Sequence, residues 1–179
     1  MRKTIINKSI LKSVLFSTAV LFTVGCSTKH ANLPTSNSVD LNSYKGTWYE
    51  VARFEHFFEK GCKNVSATYN ILKDDKIQVI NRCTKIDTNK SSSVTGVAYA
   101  TDDTNSKLKV SFFRPFYGDY WIIDVDKDYK TALVGAPSRE YLWILSRSKT
   151  IDEKTKQRLL LKASSFGFDT NKFVWTIQD

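Results

Sequence analysis

A chain of 179 residues, 41% hydrophobic and 25% charged, is the length of one domain with a sizeable core and shows no internal repeat or low-complexity block. Its formal charge of +9 comes without an arginine-rich run or a basic amphipathic helix, which excludes a nucleic-acid binder and describes a solvated surface. No metal-ligand cluster, nucleophile elbow or glycine-rich phosphate loop occurs, so neither a metal nor a cofactor is expected.

At the amino terminus Arg2, Lys3, Lys8 and Lys12, with no acidic residue among them, lead into the apolar run Ser13 to Gly25. A membrane-spanning helix needs about 20 apolar residues, and this run is shorter, so residues 1–25 are expected to direct export and then be removed. The stretch Leu21-Phe22-Thr23-Val24-Gly25-Cys26 resembles the lipobox of bacterial lipoproteins. Thr23 stands where leucine is commonest, while Gly25 and Cys26 match. The resemblance implies a diacylglycerol on Cys26, each buried methylene contributing about 0.8 kcal/mol to anchoring. The alternative is an ordinary signal peptide that leaves a free thiol in an oxidising compartment. Ser27, where aspartate marks inner-membrane retention, resembles the outer-membrane class, so a lipid-anchored location facing the periplasm is expected. Residues 26–38, polar and containing Pro34, read as the lipidated terminus and a flexible tether, and 39–179 as the folded domain.

From Thr47 onward, segments rich in β-branched and aromatic residues alternate with polar turns, the pattern of an all-β barrel or sandwich. Strands are expected near 47–54, 64–72, 76–83, 93–100, 107–113, 119–126, 130–136 and 141–147. Short turns between neighbours favour an antiparallel up-and-down arrangement, closed into an eight-stranded barrel without exposed edges. Val65, Ala67, Tyr69 and Ile71 alternate with Ser66, Thr68 and Asn70, so one face of that strand is buried. Segments 120–123 and 141–145 are apolar on both faces and need an outer cover. Thr150-Ile151-Asp152-Glu153 reads as a capping box with Thr150 as N-cap, opening a helix whose stripe is Leu159, Leu160 and Ala163 and which Gly167 stops. A short strand, 172–177, is expected to return to the wall. An eight-stranded barrel either fills its interior with side chains or holds one small ligand, and composition does not choose between them.

Gly46-Thr47-Trp48-Tyr49-Glu50-Val51-Ala52-Arg53 resembles the first signature of lipocalins. Tyr120 to Leu133, with Asp124, Asp126 and Tyr129, resembles the second, and Leu142-Trp143-Ile144-Leu145-Ser146-Arg147 the third. Their order and spacing are similar to those of bacterial outer-membrane lipocalins, relatives of apolipoprotein D and plant temperature-induced lipocalins. The resemblance implies a lipocalin barrel with Gly46, Trp48 and Arg147 as its structural signature, Trp48 plugging the closed end beneath the Arg147 guanidinium. With Arg147 facing inward, strand period brings Tyr141, Trp143 and Leu145 to the same face, which makes Trp143 the first candidate for ligand contact. Similarity to apolipoprotein D implies pocket positions at Tyr69 and Asn81, with Ala67, Val79, Val110 and Phe112 as further candidates. Phe54, Phe57 and Phe58 fall on the long first loop, as a lid or as packing for the loop itself. Arg53, Arg82 and Arg114 are candidates to meet a lipid headgroup, provided they project to the rim.

Cys62 and Cys83, at the outer ends of one hairpin in an exported chain, read as a disulfide whose loop closure contributes about 3 kcal/mol. A turn centred on Asp74 pairs Val65 with Cys83, so the bond requires a curl of residues 60–64 or a bulge. The implied function is a membrane-anchored binding protein for a fatty acid or lysophospholipid. Rival readings are a pigment or haem binder and an envelope protein with a solid barrel that displays its loops. A thiol-dependent lipocalin enzyme is disfavoured, because the two histidines, His30 and His56, lie near neither strand cysteine.

Overall fold

The computed structural model describes residues 32–179; the expected signal peptide and Cys26 lie outside the described residues. In chain order the elements are α1 (Leu41–Tyr44), β1 (Gly46–Phe54), β2 (Cys62–Ile71), β3 (Lys76–Lys85), β4 (Ser91–Ala100), β5 (Lys107–Phe113), β6 (Phe116–Val125), β7 (Thr131–Gly135), β8 (Leu142–Ser146), α2 (Glu153–Ser165) and β9 (Phe173–Trp175). Consecutive strands from β1 to β8 pair antiparallel, and β1 also pairs with β8, so the sheet closes on itself. All eight expected barrel strands form, and the short α1 is an addition.

Strand β1 forks. Gly46 to Tyr49 pair with β2, but from Ala52 to Phe54 the edge released by β2 is taken by β9. The fork is sealed by Gln178, whose Nε2 donates to the carbonyls of Glu50 (2.7 Å) and Val65 (2.8 Å).

Two apolar layers follow from the alternation of the strands. The inner one gathers Trp48, Tyr69, Val79, Leu108 and Leu145 inside the barrel. The outer one packs Leu159 and Ala163 of α2 onto Ile123, Leu133, Leu142 and Ile144, which supplies the cover that the doubly apolar strands require. Leu160 of the expected stripe is only half-buried. Asp124 ties the helix down, accepting from Arg158 at 2.5 Å and Lys162 at 2.8 Å. The N-cap is Asp152, not Thr150: the Asp152 carboxylate accepts the Thr155 N–H at 2.8 Å and its hydroxyl at 2.9 Å. Glu153 therefore turns outward to Gln157, and no capping box forms. Gly167, at φ +83°, follows the last turn as expected.

At the closed end Trp48 is fully buried and donates its indole N–H to the Tyr44 carbonyl (2.8 Å). Gly46 sits at φ +96°, and a Cβ there would lie 3.3 Å from Arg147 Nη1, so the signature glycine admits both the turn and the guanidinium.

Residues 32–38 differ from the expected tether. Leu33 is 3% exposed within the outer layer, and the Ser36 N–H donates to the Ile122 carbonyl at 2.9 Å. One apolar side chain, this backbone bond and side-chain hydrogen bonds from Arg139 to the Asn32 carbonyl and from Ser106 to Thr35 Oγ1 thus hold a polar segment to the wall. The Cys62–Cys83 disulfide is formed, with Cα atoms 5.5 Å apart. The bulge it requires lies between Lys63 and Ser66, where Asn64 takes φ +51° and displaces Cys62 toward its partner.

Candidate ligand-binding site

The barrel is not filled. A cavity of about 550 Å³ opens at the end formed by the β1–β2, β3–β4, β5–β6 and β7–β8 connections. This lies within the roughly 300–1,000 Å³ typical of small-molecule sites. Every residue put forward for ligand contact lies on its wall: Tyr69 and Ala67 from β2, Val79 and Asn81 from β3, Val110 and Phe112 from β5, Trp143 from β8, and Tyr141 just ahead of it. Strand alternation aims them inward, and the packed Trp48 layer beneath them makes the floor. Near that floor three hydroxyls form a chain, Tyr69 to Tyr120 at 2.7 Å and Tyr120 to Tyr44 at 2.9 Å. Burial raises all three above the ordinary tyrosine range, so they stay protonated. Asn81 brings a buried amide oxygen that no donor among the described residues meets.

Of the three loop phenylalanines only Phe58 reaches the cavity. It stacks on His56 at 4.7 Å between ring centroids. Phe54 is buried on the outer side of the barrel against Phe168 and Phe173, and Phe57 projects from the loop, 87% exposed.

The arginines divide as well. Arg82 lies on the outer face, bonded to Thr68 Oγ1 at 3.2 Å. Arg114 is exposed at the tip of the β5–β6 turn, on the rim. Arg53 is 2% exposed and both arms of its fork are engaged: Nη1 donates to Glu50 Oε1 (2.9 Å) and Thr176 Oγ1 (3.1 Å), Nη2 to the Glu59 carbonyl (3.0 Å). It therefore has no free fork for a headgroup, which corrects its candidacy.

That engagement exposes a feature absent from the sequence reading. Glu50 and Glu59 both line the cavity. Glu59 Oε2 accepts the indole N–H of Trp143 at 3.2 Å and lies 3.4 Å from His56 Nε2. Burial, reinforced by the charge of Glu59, pushes the Glu50 carboxyl up to about 7 despite its Arg53 partner. The wall is thus aromatic and aliphatic over most of its area, with one acidic patch on the open-end side. Polar residues within the otherwise apolar 47–54 strand were the available signal.

The lipocalin-like domain model matches residues 39–178. The outer membrane lipoprotein Blc of Escherichia coli K12 is 44% identical over 94% of this chain and 97% of its own length. Temperature-induced lipocalin-1 of Arabidopsis thaliana is 36% identical over 84% of this chain and 86% of its own. Among solved structures, the cockroach allergen Per a 4 superposes with a TM-score of 0.66 at 19% identity, covering 83% of this chain and 94% of the allergen. The chain belongs to the lipocalin family, in the group of bacterial outer-membrane lipoproteins, and is a binding barrel for a hydrophobic ligand.

Proposed function

We propose that the protein is anchored to the outer membrane by a lipid on Cys26 and holds one single-chain lipid, a lysophospholipid or fatty acid, in its barrel. The observation that carries this reading is the open apolar cavity of about 550 Å³, with the aromatic rings of Tyr69, Phe112 and Trp143 on its wall. An acyl chain laid along that wall gains about 0.8 kcal/mol per buried methylene, a roughly fourfold change in affinity for each. The acidic patch favours the lysophospholipid. A free carboxylate near Glu50 and Glu59 would be repelled, whereas the ammonium of a zwitterionic headgroup meets Glu59 and the faces of Phe58 and Tyr141.

The test is titration of the mature chain carrying Cys26→Ser, followed by tryptophan fluorescence, with both lipid classes at several chain lengths and with haem as comparison. Affinity is expected to rise with chain length in both series. Equal affinity at every length, or haem binding tighter than every lipid, refutes the lipid reading in favour of a pigment site.

A further inference from the structure

The amino-terminal segment runs along the outside of the barrel from mouth to base. Arg139, in the β7–β8 connection at the open end, donates to the Asn32 carbonyl (3.3 Å). Further down, Ser36 bonds to Ile122 in β6, and the Val39 N–H donates to the Thr104 carbonyl (2.8 Å) in the β4–β5 turn at the closed end. Asn32, the first of the described residues, therefore lies at the open end. Between Cys26 and Asn32 six peptide units span at most about 20 Å. A ten-residue strand such as β3 is about 33 Å long and, tilted by roughly 40°, sets the two ends of the barrel about 25 Å apart. A lipid on Cys26 reaches a bilayer lying across the mouth, not one lying against the base.

The mouth is built for such a surface. Phe57, Phe113 and Phe116 are 87%, 76% and 77% exposed, and Phe113 and Phe116 also line the cavity, so apolar surface is continuous from the lumen to the outside. Exposed large apolar side chains gathered round one opening mark a contact site, where scattered ones do not. Arg114, exposed between Phe113 and Phe116 at the tip of the turn, is placed for lipid phosphates once the rings on either side enter the acyl boundary.

We infer that the open end of the barrel lies on the bilayer, with Phe57, Phe113 and Phe116 inserted at the headgroup boundary, so that ligand passes between membrane and cavity without crossing water. The inference rests on the Cys26 anchor proposed above.

The experiment is hydroxyl-radical footprinting of the full protein, purified from membranes and reconstituted in phosphatidylethanolamine–phosphatidylglycerol vesicles. Mass spectrometry of the amino-terminal peptide reports the lipid on Cys26. Leu72, 43% exposed in the turn after β2 at the closed end, serves as internal reference. Relative to Leu72, oxidation of Phe57, Phe113 and Phe116 is expected to fall about fivefold or more against the Cys26→Ser chain in vesicle-free buffer. A lipidated chain in which these rings stay reactive, or in which Leu72 is the protected side chain, overturns the orientation while leaving the anchor intact. A chain without lipid overturns the anchor and this inference with it.

Discussion

The Arg147 guanidinium lies over the Trp48 indole, 4.0 Å from the ring centroid. Its N–H groups donate to the carbonyls of Ser43, Tyr44, Lys45, Thr47 and Tyr129 at 2.8–3.2 Å. One side chain thus closes the base of the barrel, satisfying the carbonyls at the end of α1 while it stacks on the plug. Arg147→Lys keeps the charge but loses the planar fork, and about 1–3 kcal/mol of unfolding free energy is expected to go with it. Trp48→Ala opens a cavity in the inner layer and is expected to cost about 3–5 kcal/mol. Urea denaturation checks both, and an unchanged midpoint for Trp48→Ala would contradict its role as the plug.

How far the sequence could be read depended on the continuity of alternation. Where it was unbroken, as in β2 from Ser66 to Asn70, period 2 told Ala67 and Tyr69 from the opposite-facing Ser66, Thr68 and Asn70, whereas Val79 and Asn81 were reached through the resemblance to apolipoprotein D. Alternation failed at bulges. In β1, Glu50 faces Leu145 and Ala52 faces Ile144, so one residue is inserted at Val51 and Arg53 comes to face Trp143. Strict alternation from Trp48 and Glu50 would have turned Arg53 outward, to a possible rim; the bulge turns it inward, onto Glu50 and Glu59. Nor could a linear pattern show that residues 32–38 would be held by partners as distant as Ile122 and Arg139.

The disulfide spans such a bulge, joining the first residue of β2 to the last part of β3. Its removal by Cys62→Ala with Cys83→Ala is expected to lower stability by about 3 kcal/mol, chiefly by freeing the unfolded chain. Parallel urea titrations of this variant, and of the natural chain with and without reductant, should agree. Full stability of the reduced natural chain would disprove the estimate.

Glu50 gives the stability a pH dependence. Burial and the neighbouring Glu59 raise its carboxyl from 4.5 to about 7 on folding, so between those values the folded state holds a proton that the unfolded state has lost. The Glu50 contribution is therefore fully present below about pH 4.5 and declines as pH rises toward about 7. Glu50→Gln, which can still accept from Arg53 and Thr176, is expected to flatten this decline in a series of melting curves. A decline of equal size in the variant would assign it to another group.

The Trp143–Glu59 hydrogen bond links the recognition wall to the loop at the mouth. Glu59 is the part of the acidic patch that reaches both the indole and the Phe58–His56 stack, so on the proposed reading its carboxylate is the group that a headgroup would meet. Glu59→Gln keeps an acceptor for the indole N–H and removes the charge. Its effect should depend on the ligand: a zwitterionic lysophospholipid loses an ionic partner worth about 1.4 kcal/mol, or tenfold in affinity, while a fatty acid of equal chain length is freed from repulsion and binds more tightly. Trp143→Phe loses the hydrogen bond but keeps an aromatic face, and is expected to weaken both ligands similarly. Paired titrations of the two variants by displacement of a fluorescent fatty acid separate these effects. If Glu59→Gln shifts both lipids by the same factor, the acidic patch has no part in headgroup choice, and selectivity rests on the chain alone.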